Sequence, residues 1–155
     1  MTFTIDAEYL SARMQCSRED KQDCLPVVRQ LTVLAYIGRE RGLLAMEEEV
    51  RDRGRYPDAF LRKAVELTVE IADTDKIGRV LYNLIITSKY MGNFHFLKNV
   101  VIAETMLSIS RSEDLDYVFT HLVPSFFGME FAPMVEETYR EQKKAMMTTR
   151  KLAPM

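Results

Sequence analysis

From Leu25 onward the apolar residues of this chain recur at three- and four-residue steps in one segment after another, and they form no alternating run. That spacing follows the 3.6-residue turn of an α-helix and argues against half-buried strands, whose side chains change face at every residue. In "DCLPVVRQLTVLAYIGRERG", Leu25, Val28, Leu31, Leu34 and Ala35 fall on one face while Arg29, Gln30 and Glu40 turn away. Proline is tolerated only in a first helical turn, so Pro26 predicts a start near Asp23 or Cys24 rather than at Ser17. "LLAMEEEVRDR" is read as a helix after Gly42, ended by Gly54 and Tyr56-Pro57. "DAFLRKAVELTVEIA" follows, with Asp58 as cap and Phe60, Leu61, Ala64, Leu67 and Ile71 inward, Thr68 being the polar member of the stripe. "DKIGRVLYNLIITSKYM" is capped by Asp73 or Thr74 and directs Ile77, Val80, Leu81, Leu84 and Ile85 inward. Even the β-branched "IIT" and "NVVIA" sit inside helical patterns.

Gly92-Asn93 is the next punctuation. Both residues tolerate positive φ, so the dipeptide is expected to close one helix and reverse the chain into "FHFLKNVVIAETMLSIS"; the rival is one uninterrupted helix with a costly glycine. "SEDLDYVFTHLV" is expected to open at Ser112 and stop at Pro124, and a terminal helix to begin at about Met129. The expected fold is all-α: one helical domain over residues 1–155, a bundle with an antiparallel helix pair joined by a tight turn near Gly92-Asn93. With 155 residues, 47% hydrophobic and 28% charged, the chain is long and apolar enough to bury a core, and no linker or repeat divides it.

Several function classes lose support on composition. A formal net charge of −2 disfavours general nucleic-acid binding, which needs a surplus of Lys and Arg. "MTFTIDAEYLSARMQ" lacks the basic and apolar regions of a signal peptide, so a cytoplasmic location is expected. The most apolar stretches are interrupted by Asn83, Lys89, Lys98 and Glu104, short of the about 20 apolar residues of a spanning helix, so no membrane insertion is expected. Cys16 and Cys24 are read as free thiols, with Glu19 and Asp20 nearby to raise the Cys16 pKa. His95 and His121 are the only histidines, and there is no HExxH, CxxC, phosphate-binding glycine loop or GxSxG elbow. Glu47, Glu48 and Glu49 are consecutive on a helix and fan apart instead of converging. No metal, cofactor or enzymatic role is expected.

The charged stretch "IGRERGLLAMEEEV", running on into "RDRGRYPDAFLRK", remains to be explained. On an unbroken helix Arg39 and Glu47, eight positions apart, would share a face within roughly 80°. Charge alone describes a solvated face, in which the attractive Glu47–Arg51 and repulsive Glu48–Asp52 pairs are worth about 0.2–0.5 kcal/mol each. "RERGLLAMEEEV" and "YPDAFLRKAVELTVEIADTDKIGRVLYNLI", however, resemble the cytoplasmic part of the flagellar motor stator A subunit, the MotA family. Its members carry an arginine, a Gly-Leu-Leu-Ala-Leu-Glu-like run, then "FLRKGLxLVVDGTDP" and an acidic helix leading to the membrane. "VVIAETMLSISRSEDLDYVFTHLVPSF" is similar to the family's later cytoplasmic segment, with Glu104 at its acidic position and Thr105 where glycine is usual.

The resemblance covers about residues 31–126. In the stator proteins a pair of transmembrane helices separates the two blocks; here only "YMGNFHFLKN" intervenes. It therefore implies a water-soluble remnant without ion flux, whose joined helix ends carry Tyr90, Met91, Phe94 and Phe96 near the tip, Phe94 and Phe96 being structural. It also implies partner-binding roles for Arg39 and Glu47, at the positions that in the family pair with the rotor switch protein, and for neighbouring Arg41, Glu48, Arg51 and Arg62. The expected partner is the rotor switch protein or a stator component. The alternative is a homo-oligomeric or regulatory module unrelated to motility, using the C-terminal helix and tail over 129–155, where "YREQKKAMMTTRKLAPM" offers Met146 and Met147 for helix-in-groove contacts.

Overall fold

In "NFHFLKNVVIAETMLSIS" the four residues Val100–Ala103 and the five residues Thr105–Ile109 are buried without interruption. Consecutive helix residues step by about 100°, so four in a row sweep the whole circumference. This helix must therefore be covered on every side, and it is the centre of the fold. The computed structural model describes residues 15–88 and 92–152, with the backbone alone for 150–152. In chain order its elements are α1 (Arg18–Asp23), α2 (Leu25–Arg41), α3 (Leu43–Glu49), α4 (Ala59–Glu70), α5 (Thr74–Ile86), the central α6 (Asn93–Ser110), α7 (Leu115–Tyr117), a π-helical turn (Val118–Leu122), α8 (Val123–Ser125) and α9 (Ala132–Leu152). The class is all-α, and no strand occurs among the described residues. α1, α2, α4, α5 and α8 all pack on α6, while α9 packs on α2. One buried cluster runs from Cys24 to Tyr139. Among the described residues no helix is long and apolar enough to cross a membrane.

Hydrogen bonds fix the directions of the chain. Thr74 meets Ser110 at 2.7 Å, and the Tyr82 hydroxyl donates to Glu104, so the start of α5 lies beside the end of α6 and the two run antiparallel. Asp58, ahead of α4, pairs with Lys98 in the second turn of α6, which places α4 alongside it in the same sense. Buried Thr32, Thr68 and Thr105 each donate to the carbonyl four residues back, so none carries an unmet hydroxyl donor into the core.

Several local expectations need correction. Gly92 has φ −68° and ψ 144°, so it precedes the first turn of α6 in ordinary extended backbone and does not close α5 at positive φ. α5 ends earlier, at Ile86, and Asn93 opens α6 while its side chain donates to the Gln15 carbonyl at 2.7 Å. Phe96 is buried and Phe94 packs against the core, as expected of structural aromatics; Tyr90 and Met91 lie outside the described residues. Leu84 is 39% exposed and Tyr82 takes the inward place, because the α5 stripe follows Ile77, Gly78, Leu81, Tyr82 and Ile85. Ser17 does cap a helix, the short α1, by accepting from Asp20 N–H, and Pro26 then sits in the first turn of α2. α3 ends at Glu49, ahead of Gly54.

Ser112 is a turn residue at φ 58°, and the following helical run is capped instead by Asp114, which accepts from Tyr117 N–H. That run passes through Pro124. The Val123 N–H reaches the Val118 carbonyl five residues back, and this widened turn relieves the clash that a proline ring makes with the carbonyl of an α-helical turn. The last helix starts at Ala132 rather than Met129, since Gly128 at φ 84° turns the chain and Phe131 is buried in the turn.

Glu104 links packing to pH. Burial pushes its carboxyl above the ordinary value near 4.5, Glu113 adds to this, and the Tyr82 hydrogen bond and Arg111 oppose it. An acid whose pKa is raised by folding holds its proton more tightly in the native state, so stability falls as pH rises through the interval between the unfolded and folded values. Glu104→Gln should therefore gain on the wild type as pH climbs through and above the ordinary carboxylate range, and the two should converge below it. Urea unfolding of both proteins across that range measures the difference; parallel curves would show that Glu104 is not shifted.

Candidate protein-interaction surface

The charged segment is organised around Gly42, at φ 96° and ψ 162°, a region open essentially to glycine alone. α2 stops at Arg41, α3 begins at Leu43, and the two helices pack together with the Met46 sulfur 3.3 Å from where a Cβ on Gly38 would stand. A Cβ on Gly42 would meet no atom within 4 Å, so Gly42→Ala should destabilise through backbone strain alone, by about 1–3 kcal/mol in urea unfolding. The break also removes the shared helix face expected of Arg39 and Glu47, because helical phase is not carried through Gly42.

The six expected partner-binding residues fall in different places. The Arg39 guanidinium donates to the Glu113 carbonyl at 2.7 Å, pinning the end of α2 to the turn after α6. Arg41 is exposed on the wall of a groove between α2 and α9. Glu48 is exposed on α3. Glu47, Arg51 and Arg62 do come together, lining a cleft of about 380 Å³ with Val50, Arg53 and Glu66. Sequence reasoning missed Arg53 and Glu66. Glu66 was findable, one helical turn after Arg62 on the same face; Arg53 was not, because it sits in the irregular turn after α3.

Most carboxylates near this cleft are already engaged. Glu47 pairs with Arg51 at 3.7 Å and Glu66 with Lys63 at 3.7 Å. Asp52 is exposed and accepts from the Gly54 and Arg55 N–H groups. Glu49 receives Arg55 at 3.0 Å and the Tyr56 hydroxyl at 3.0 Å; burial and that bond push the Tyr56 phenol upward. Arg62 donates to the Tyr56 carbonyl at 2.7 Å, a neutral partner. Among the described residues, Arg53 and Arg62 are thus left without a carboxylate partner.

A second polar cluster stands at the α2–α9 contact. The Tyr139 hydroxyl donates to Asp116 Oδ1 at 2.5 Å, and Lys143 Nζ reaches the same oxygen at 3.1 Å. With its one proton so committed, Tyr139 must accept from the Tyr36 hydroxyl at 2.7 Å. These donors hold the Asp116 carboxyl below its ordinary range, the Tyr139 bond contributing most.

Among the described residues no group of three or more His, Cys, Asp or Glu is placed to hold a metal ion. Cys16 and Cys24 are free thiols, and burial pushes Cys24 up to about 12, far from the thiolate a nucleophile requires. Burial and then Asp20 raise Cys16. His95 stands edge-on to Phe94 and His121 is exposed beside Tyr117. Compared with protein-family models, curated proteins and solved structures, the chain finds no match in any of the three.

Proposed function

We propose that this chain is a non-enzymatic protein-interaction module of stator-like descent, acting in the cytoplasm and contacting a rotor or stator component through the α3–α4 cleft. The observation that carries the reading is the cleft's charge state: Arg53 and Arg62 lack carboxylate partners beside the loosely paired Glu47 and Arg51. Guanidinium groups in such a place favour planar oxyanion partners, and rim charges of this kind set association rate and specificity more than affinity. The stator-like part of the proposal draws support from the antiparallel α5 and α6, which are joined across residues 87–92 where the resembling family carries its membrane pair.

The test is calorimetric titration of the full chain against purified rotor switch protein and against each stator subunit, with Arg53→Glu and Glu47→Arg as variants. One of these proteins should bind the wild type, and Arg53→Glu should weaken that binding by about tenfold, with the salt sensitivity reduced and the helical circular dichroism unchanged. Absence of binding to all of them would remove the motor assignment. Equal affinity of both variants would remove the cleft.

A further inference from the structure

We infer that the groove between α2 and the second half of α9 is a docking site for an acidic amphipathic helix of a partner protein. It shares no lining residue with the α3–α4 cleft, so it stands apart from the function proposed above. The groove has a volume of about 630 Å³, with Val33, Ile37 and the Tyr36 ring on one wall and Met146 and Met147 on the other. Met147 is 45% exposed, an apolar side chain left in water on a charged helix. Two helices side by side leave a channel that a third helix fills with apolar residues spaced three and four apart, and flexible methionines adapt to such residues.

Charge selects the occupant. From Arg140 to Lys151 there are five basic residues, Arg140, Lys143, Lys144, Arg150 and Lys151, against the single acidic Glu141. Arg140 and Lys143 are paired, with Glu136 and Asp116, whereas Arg41 in the groove lining and Lys144, on α9 outside that lining, have no carboxylate within ion-pair distance among the described residues. Glu40 and Glu49 also border the groove, and Glu49 is already bound by Arg55. On the α2 side Arg41 and Arg55 balance Glu40 and Glu49, so the surplus is cationic along α9, which fits carboxylates on that flank of an apolar stripe. The groove is also preformed, because the Tyr36–Tyr139–Asp116–Lys143 cluster fixes the spacing of α2 and α9 at its edge, reducing the ordering cost of binding.

Two labelled synthetic helices with the same leucine spacing, one with glutamate and one with lysine at the polar positions, test this by fluorescence anisotropy on the full chain. The glutamate peptide should bind saturably, and the lysine peptide about tenfold or more weaker. Arg41→Glu and Met147→Glu should each weaken the glutamate peptide about tenfold, with unchanged circular dichroism. If Met147→Glu disturbs the fold, the exposed Arg41→Glu decides alone. Equal binding of the two peptides, no binding of the glutamate peptide, or indifference of Arg41→Glu would overturn the inference. So would sedimentation with phosphatidylserine vesicles that the glutamate peptide does not displace, which points to a lipid surface, or a dimer that Met147→Glu dissociates, which points to a second copy.

Discussion

Asp58→Ala is expected to lower the unfolding free energy by about 3 kcal/mol or more, a large share of the stability of a single domain. Asp58 acts in two ways at once. Its Oδ1 accepts from the Phe60 and Leu61 N–H groups at 2.9 and 3.2 Å, capping α4, and its Oδ2 meets Lys98 Nζ at 2.6 Å with the two side chains only 17% and 15% exposed. Loss of the cap alone costs about 1 kcal/mol. The rest comes from leaving the Lys98 ammonium largely buried, with the Phe94 ring 5.9 Å away as a weak remaining partner. Asp58→Asn keeps an oxygen for the cap but not the charge, so it should fall between Ala and wild type. Lys98→Met removes the charge that needs a partner and should cost less than Asp58→Ala. Urea unfolding of the three variants gives the order, and a cost below about 1 kcal/mol for Asp58→Ala would mean that the pair contributes nothing.

Ile102→Ala should be of similar or greater consequence, about 3–5 kcal/mol. Ile102 is fully buried at the middle of α6, with Val101 and Ala103 on either side also buried. Collapse into the space is hindered because helices press on α6 from several directions, so most of the cavity should persist. Leu84→Ala on α5 is the matched control: the side chain is 39% exposed and the expected loss is under about 1 kcal/mol. Thermal and urea unfolding of both variants would show comparable losses only if α6 were not the centre of the fold.

The Leu84 control also shows where the sequence was legible. Helical periodicity located α2, α4 and α5 because each has one wet face, and the Asp58 cap was readable because a short acidic side chain before an apolar run satisfies free N–H groups, whereas the α5 cap was open between Asp73 and Thr74 and falls to Asp73. It could not tell Leu84 from Tyr82, since both flank the Ile77–Leu81–Ile85 stripe and the neighbouring α6 decides which is covered. α6 itself has almost no polar face, so periodicity identified a helix but not its central place. Pro124 misled because a π-turn is a property of backbone hydrogen bonding that no residue pattern announces. For the candidate surface, the family resemblance singled out Glu47, Arg51 and Arg62, which line one cleft, while the helix break at Gly42 separates Arg39 and Arg41 from them. The α2–α9 groove joins residues more than a hundred positions apart, and only the folded chain brings Arg41 near Met147.

The central position of α6 bears on how the polypeptide matures as it is made. During synthesis, α2, α4 and α5 leave the ribosome before the helix on which all three pack, so their apolar stripes stay unsatisfied until Ser110 has emerged. Consolidation of the tertiary structure must then come late in translation, and nascent chains arrested before that point should be the species that chaperones retain.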